Sequence, residues 1–217
     1  MNWVKYMGKI ISLSIGMPKN VIWKGKNEES AINKKRVQSA FLRKQGFIDD
    51  DVANHKYHGG ADRAVCVYPF EHYAKWENEF KQSFEPPSVG ENLCVTEMLE
   101  KDVYIGDTYS IGETIVQITQ GRIPCDKISK HNGVDSLLSR MVETGYTGYF
   151  FRVVQEGLIE ESSQVKLIER TQEKVSVLYA NQIMFHDRKN KKAIEEILAV
   201  KELAEKWLES LEKAYYK

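Results

Sequence analysis

Cysteine is scarce in this chain: three residues in 217, at positions 66, 94 and 125, with no CxxC pair. An odd count without close pairs excludes a disulfide framework and a tetrahedral zinc site, and it fits a reducing compartment, so a cytoplasmic location is expected. An excess of charge is lacking as well. Thirty-one basic residues balance thirty-one acidic ones, which removes the footprint of a nucleic-acid binder and leaves room for a local anion site. Long apolar runs are absent: Ile10 to Ile15 is short and interrupted by Ser12 and Ser14, so neither a signal peptide nor a membrane span is expected. There is no GxGxxG and no iron–sulfur cysteine set, so any redox chemistry needs electrons from outside. What is present is a 42% hydrophobic composition, enough for one large domain or for one domain with a small appendage.

Short β-branched runs dominate the first part of the chain. Lys9–Ile15 and Asn20–Lys24 are separated by Gly16 and Pro18, and Ala31–Val37, Ala64–Tyr68, Leu93–Thr96, Val103–Tyr109, Glu113–Thr119, Tyr149–Val154 and Gln164–Ile168 follow. Strands this short and closely spaced predict a closed or partly closed barrel, a mainly β fold with some helix. Glu71–Phe80 has helical spacing, with Tyr73, Trp76 and Phe80 on one face and His72 on the surface. Asp135 is positioned to cap a helix that carries Leu137, Leu138, Met141 and Val142 and ends near Gly145. From Thr171 the period changes to that of amphipathic helices, with either three helices or one continuous helix from Asn190. The expected division is 1–170 and 171–217. Because the second segment carries no chemical motif, a chain ending near Glu169 is expected to keep the barrel.

Three places carry chemical residues. Ile118–Lys127, ITQGRIPCDK, runs from a strand into Pro124 and the thiol Cys125, flanked by Arg122 and Lys127. Neighbouring cations favour a thiolate, although a buried packing cysteine is equally compatible with these residues. His55–Tyr68, HKYHGGADRAVCVY, sets Gly59 and Gly60 beside His58, Asp62 and Arg63, which reads as an anion cradle or as an ordinary Gly-Gly turn. Asn92, after Gly90 and Glu91, can orient a heterocycle or cap its own turn. Lys34 is a strand lysine that points inward or into solvent; Asp49–Asp51 reads as a solvated turn; Cys66 and Cys94 read as packing.

Taken together, HGGADRAVCVYPFEHY, the GENL of Gly90–Leu93, the IGD of Ile105–Asp107, TQGRIPC ending at Cys125 and TGYFFRVVQEG of Thr147–Gly157 resemble a MOSC domain, and more narrowly its YiiM-like branch. The resemblance implies a MOSC-type β-barrel with a small C-terminal three-helix segment, holding a molybdopterin-type molybdenum cofactor. It implies Cys125 as molybdenum ligand and catalytic residue, and Lys34, His58, Gly59, Gly60, Asp62, Arg63, Glu91, Asn92 and Arg122 as cofactor-binding residues. Pyridoxal phosphate is not expected. The implied activity is reduction of small N-hydroxylated compounds such as hydroxylaminopurines, with a separate flavin or iron–sulfur electron donor. A molybdopterin carrier or sulfur-relay module is the alternative, and a Cys125–His58 nucleophilic hydrolase is what the bare residues also allow. Two departures from the branch, Val89 in place of phenylalanine and Gly121 in place of proline, are expected to reshape the cleft; the Asp49–Asp51 run, where the branch has a GD turn, is expected to alter a loop.

Overall fold

The structure, a computed structural model, describes residues 5–23, 25–56 and 58–216. Lys24, which ends one expected strand, and Tyr57, inside the HKYHGG stretch, lie outside the described residues, as do the outermost residues of the two expected segments.

Strand β1, Lys5–Ile15, is the longest element of the sheet. It bends at Gly8, whose φ is 69° and whose missing Cβ would stand 1.8 Å from the Thr96 carbonyl oxygen, a place only glycine fills. A hairpin follows, β2 (Lys19–Trp23) with β3 (Lys26–Ser30). Next come β4 (Lys35–Val37), β5 (Ser39–Arg43), β6 (Gly46–Phe47), β7 (Val65–Pro69), helix α1 (Glu71–Phe80) and β8 (Leu93–Val95). The remaining strands are β9 (Thr108–Ile111), β10 (Thr114–Gly121), β11 (Tyr149–Gln155), β12 (Gly157–Glu160) and β13 (Gln164–Glu169), with α2 (Lys127–Asn132) and α3 (Leu137–Thr144) between β10 and β11.

Neighbouring strands run β13–β9–β10–β11–β7–β8–β1, and β1 returns to pair with β13, so seven strands close into the expected barrel. The β7–β8 pair is parallel; β4 adds to β1 outside the ring, and β12, β5 and β6 form a separate small sheet. Alternation along β10 buries Thr114, Val116 and Ile118 and half-buries Ile115 and Gln117, which is the period of two that one covered face requires. A second buried cluster, with Tyr68, Tyr73, Trp76, Val89, Cys94, Ile128, Leu137 and Met141, lies under α1, α2 and α3.

Several expectations change. Val103–Asp107 makes turns and a single bridge, so β9 begins only at Thr108, where pairing with β10 and β13 starts. Residues 31–34 are irregular and only 35–37 form a strand, which places Lys34 on a loop. Asp135 does not cap α3; Ser136 is the capping residue and makes no side-chain bond. His72 is buried, 2.6 Å from Glu100 and stacked 4.4 Å from the Tyr146 ring, because its helix face meets the sheet and not solvent.

The tail forms α4 (Val177–His186), α5 (Lys191–Leu198) and α6 (Glu205–Tyr215), the three helices expected, with the chain interrupted over 199–204. Its apolar residues are not separate from the barrel's. Val177, Ile183, Ile194, Ile197, Leu203, Trp207 and Leu211 belong to one buried cluster with Val116, Ile118 and Phe151. At Gly121 a Cβ would stand 1.7 Å from Asn181 Oδ1 on α4, while Asn181 Nδ2 is tied to the Gly145 carbonyl at 2.8 Å and to Thr147 Oγ1 at 3.1 Å. Glycine here therefore admits the tail. Gly121→Ala is expected to lower stability by about 1–3 kcal/mol through overpacking, seen as a lower denaturation midpoint, with unchanged occupancy of the cleft.

Candidate functional site

One cleft of about 1350 Å³ runs across the barrel end, lined by the 45–60 loop, the start of β7, the end of β10 with the Pro124–Cys125 turn, and residues of α6. The geometry of β10 creates its deep part. The strand ends at Gly121; Arg122 N still donates to the Gly148 carbonyl at 2.9 Å, and then Ile123 and Pro124 turn the chain so that the half-buried Cys125 enters the cleft wall. Pro124 has no N–H to give a ladder, so the sheet ends where the thiol is needed.

Arg122 lines the same wall. Its Nη2 donates to the Val89 carbonyl at 2.8 Å, while Nη1 is buried without a partner. Burial opposes its charge, but the thiols of Cys66 and Cys125 and the Glu91 carboxyl more than offset that and raise its pKa, so the guanidinium stays charged. Lys127, the other cation beside Cys125, turns away to Glu28 on the hairpin, which Lys130 also meets at 3.0 Å; these contacts hold the Glu28 carboxyl below its ordinary range. They pin the hairpin to the cysteine turn.

Opposite lies a polar knot that the sequence reading did not anticipate. Asp50 receives the Lys34 ammonium in a direct ion pair, Gly16 N at 2.8 Å and Asn92 Nδ2 at 2.9 Å, with the side chains of Lys34 and Asp50 only 6% and 9% exposed. Asn92 also donates to the Ser14 carbonyl at 3.1 Å and accepts from Cys66 N at 3.0 Å, so both its amide hydrogens and its oxygen are engaged by protein. Its part is to lock β1, β7 and Asp50 together. Asp50, read as a solvated turn residue, is thus a wall residue, placed there by partners far from it along the chain.

The glycine stretch forms the third side. Gly59 (φ 71°) and Gly60 (φ 93°) hold backbone that side chains resist, and nothing lies within 4 Å of where a Gly60 Cβ would point, so its backbone faces open space. Arg63 Nε clamps the Gly59 carbonyl at 2.8 Å. Burial, then the charges of Arg122, Arg63 and Lys206, press the His58 imidazole below its ordinary pKa, which favours its neutral form.

Of the ten residues singled out in the sequence, Lys34, His58, Gly59, Gly60, Arg63, Asn92, Arg122 and Cys125 line this cleft. Asp62 and Glu91 do not. Asp62 faces α6 and β11, bound to Arg152 at 2.8 Å and to Glu205 N at 3.0 Å. Glu91 sits behind the wall, fully buried and bonded to the Tyr73 hydroxyl at 2.5 Å, its pKa raised by burial and its second oxygen unpartnered. Neither of the two departures lines the cleft: the Val89 side chain packs in the second cluster and Gly121 faces α4. Gln120 and, from the tail, Lys206, Trp207 and Ser210 complete the lining. Among the described residues no helix is long and apolar enough to cross a membrane.

A closed seven-stranded barrel with a thiol at a strand end, a basic cleft and a packed helical tail is a β-barrel domain of a definite kind. The MOSC domain family matches residues 54–166, and the YiiM-like, 3-alpha helix domain matches residues 175–213. The chain belongs to the MOSC family, in its YiiM-like branch. It is 40% identical over 205 residues to YflK of Bacillus subtilis, covering 94% of this chain and 93% of that protein. The crystal structure of YiiM from Geobacillus stearothermophilus superposes with a TM-score of 0.82 at 32% identity, covering 96% of this chain and 99% of that one. A longer protein of Gibberella moniliformis named a reductase is 32% identical over 160 residues, which is 71% of this chain and 28% of that protein.

Proposed function

We propose that this protein binds a molybdenum cofactor in the cleft and reduces N-hydroxylated compounds with electrons from a separate flavin or iron–sulfur partner. Membership of the MOSC family and the reductase-named relative support a molybdenum-cofactor-related role. The observation that carries the reading is the pairing, on one wall, of the half-buried Cys125 thiol with the buried, unpartnered Nη1 of Arg122. The donor set fits the group. Among the described residues no three of His, Cys, Asp and Glu converge on a metal, so a soft thiolate at Cys125 suits a metal that brings its own sulfur ligands. Arg122, Lys34 and Arg63 bring charge, and the open backbone at Gly59 and Gly60 lets an anion approach closely.

When bound, the cofactor would supply two-electron, oxygen-atom chemistry. The chain's residues would hold and orient it: Cys125 at the metal, Arg122 and Arg63 around its anionic part, the neutral Lys34–Asp50 pair as a polar wall beside it, and His58, neutral, as a donor or acceptor. Asn92 acts one step back by fixing Asp50. The overall change, R–NHOH plus two electrons and two protons to R–NH₂ and water, requires an external reductant, which the partner provides. The test is molybdenum and pterin content of protein made in a cofactor-competent host, together with turnover of 6-hydroxylaminopurine by a reconstituted electron chain. One molybdenum and one pterin per chain with turnover is the expected result. Bound cofactor without turnover would make the protein a carrier, and absence of both molybdenum and pterin would overturn the reading.

A further inference from the structure

We propose that the buried His72–Glu100 pair is a positioning device for Cys125: it clamps Gly148, which makes the last sheet bond before the turn that carries the thiol. His72 Nε2 and Glu100 Oε2 stand 2.6 Å apart, with side chains only 5% and 1% exposed. The other carboxyl oxygen, Oε1, accepts the Gly148 N–H at 2.8 Å, so the pair joins α1 to the loop that enters β11. On its far side Gly148 accepts, through its carbonyl, from Arg122 N at 2.9 Å. Among the described residues, pairing of β10 with β11 ends at Gly121 with Tyr149, and this is the last backbone bond to the sheet before Ile123, Pro124 and Cys125. Pro124 has no N–H with which to add another.

Gly148 transmits this hold because it has little freedom of its own. Its φ is 77°, and a Cβ would stand 2.3 Å from the Val67 carbonyl oxygen, so only glycine fits against β7 here. His72 in turn keeps Glu100 in place. Its ring stacks on Tyr146, two residues before Gly148, and meets Tyr68 edge-on at 5.5 Å, which fixes the nitrogen that faces the carboxyl. Removing the imidazole leaves a deeply buried acid with one of its two donors, and its hold on Gly148 weakens. Neither residue lines the cleft, so both act on the thiol through Gly148 and the Arg122 backbone. The Arg122 guanidinium is held separately, by the Val89 carbonyl.

The test reads the thiol itself. The full chain, made in a host without the cofactor, is treated with iodoacetamide, and labelling of Cys66, Cys94 and Cys125 is followed separately by peptide mass spectrometry in the parent, His72→Leu and His72→Gln. Modification of a half-buried thiol follows how often its segment opens. His72→Leu removes the donor, and Cys125 is expected to label roughly tenfold faster, as loss of a hydrogen bond to a charged group implies. His72→Gln returns a nitrogen donor of similar reach and is expected to stay within about twofold of the parent. Cys94, in one cluster with Tyr73 and Trp76 of α1, is the internal control, expected to keep its parent rate. In cofactor-loaded protein, a consequence that rests on the function proposed above, His72→Leu is expected to lower kcat for 6-hydroxylaminopurine roughly tenfold with KM unchanged. An unchanged Cys125 rate in His72→Leu, equal acceleration in His72→Gln, or Cys94 accelerating in step with Cys125 overturns the positioning role. Should His72→Leu not fold, His72→Phe, which keeps a ring against Tyr146 but lacks the donor, takes its place with the same expectations. Protein without molybdenum or pterin in a cofactor-competent host would remove the proposed function, while the labelling rates still decide this inference.

Discussion

In protein loaded with molybdenum cofactor, Cys125→Ser is expected to lower reductase turnover by more than about a hundredfold while most of the pterin stays bound. Even changes to groups that merely support a metal ligand cost about 10–100-fold, and this change removes the ligand itself, replacing a thiolate by a hard, protonated hydroxyl. Retention has a different basis. The charged and backbone groups of the cleft are untouched by the substitution: Lys34, Arg63, Gly59 and Gly60 stand on other segments, and Arg122 is anchored by its own bond to the Val89 carbonyl. Cys94→Ala is the packing control: that thiol is fully buried in the second cluster, and its loss is expected to cost stability without lowering activity per folded molecule. Cys66 is not neutral in this comparison, because it lines the cleft and feels Arg122. Turnover and pterin quantification on the same preparations check the result, and full activity in Cys125→Ser would reject the ligand assignment.

The barrel and the cysteine turn were legible in the sequence because local rules govern both. Period-two runs define strands such as β10 and β13 wherever pairing partners exist, and Pro124 ends a ladder whatever surrounds it. The exact match of α1 to its expected limits has the same origin, a clean helical period between Pro69 and Lys81. What was not legible depends on contacts far apart along the chain. Asp50 becomes a wall residue only because Lys34, Gly16 and Asn92 meet it, at separations of 16, 34 and 42 residues. His72 is buried by Glu100, 28 residues away. Motif adjacency misled in the opposite direction: Asp62 and Glu91 stand beside cleft residues in sequence, yet neighbours in a loop or a 3₁₀ turn point to different sides, and these two serve α6 and the second cluster.

The same dependence on distant contacts governs the tail, where removing residues 170–217 is expected to leave no stable barrel, contrary to what a segment without chemical motifs suggests. Backbone bonds cross the boundary at several places. Ile105 N donates to the Val175 carbonyl at 3.1 Å, Val177 N to Val103 at 2.9 Å, Leu178 N to Glu100 at 2.8 Å and Ala204 N to Thr119 at 3.1 Å, so the 103–107 turns are held open by the tail as a neighbouring strand would hold them. Arg170 is also lost, and with it the bidentate pairing to the buried Asp107 at 2.8 and 2.7 Å, which leaves that carboxylate without its guanidinium partner. Val177, Ile183, Ile194, Ile197, Leu203, Trp207 and Leu211 share one core with the barrel; each buried apolar side chain is worth about 1.5–3 kcal/mol, and several such losses reach the whole stability of about 5–15 kcal/mol typical of a domain. The uncovered barrel face would also be a contiguous apolar patch prone to association. Expression of residues 1–169 beside the full chain, with thermal unfolding followed by circular dichroism, tests this. Insoluble protein, or a soluble one without a cooperative transition, is expected; a cooperative melt within a few degrees of the full chain would show that the barrel stands alone and that the tail merely rests on it.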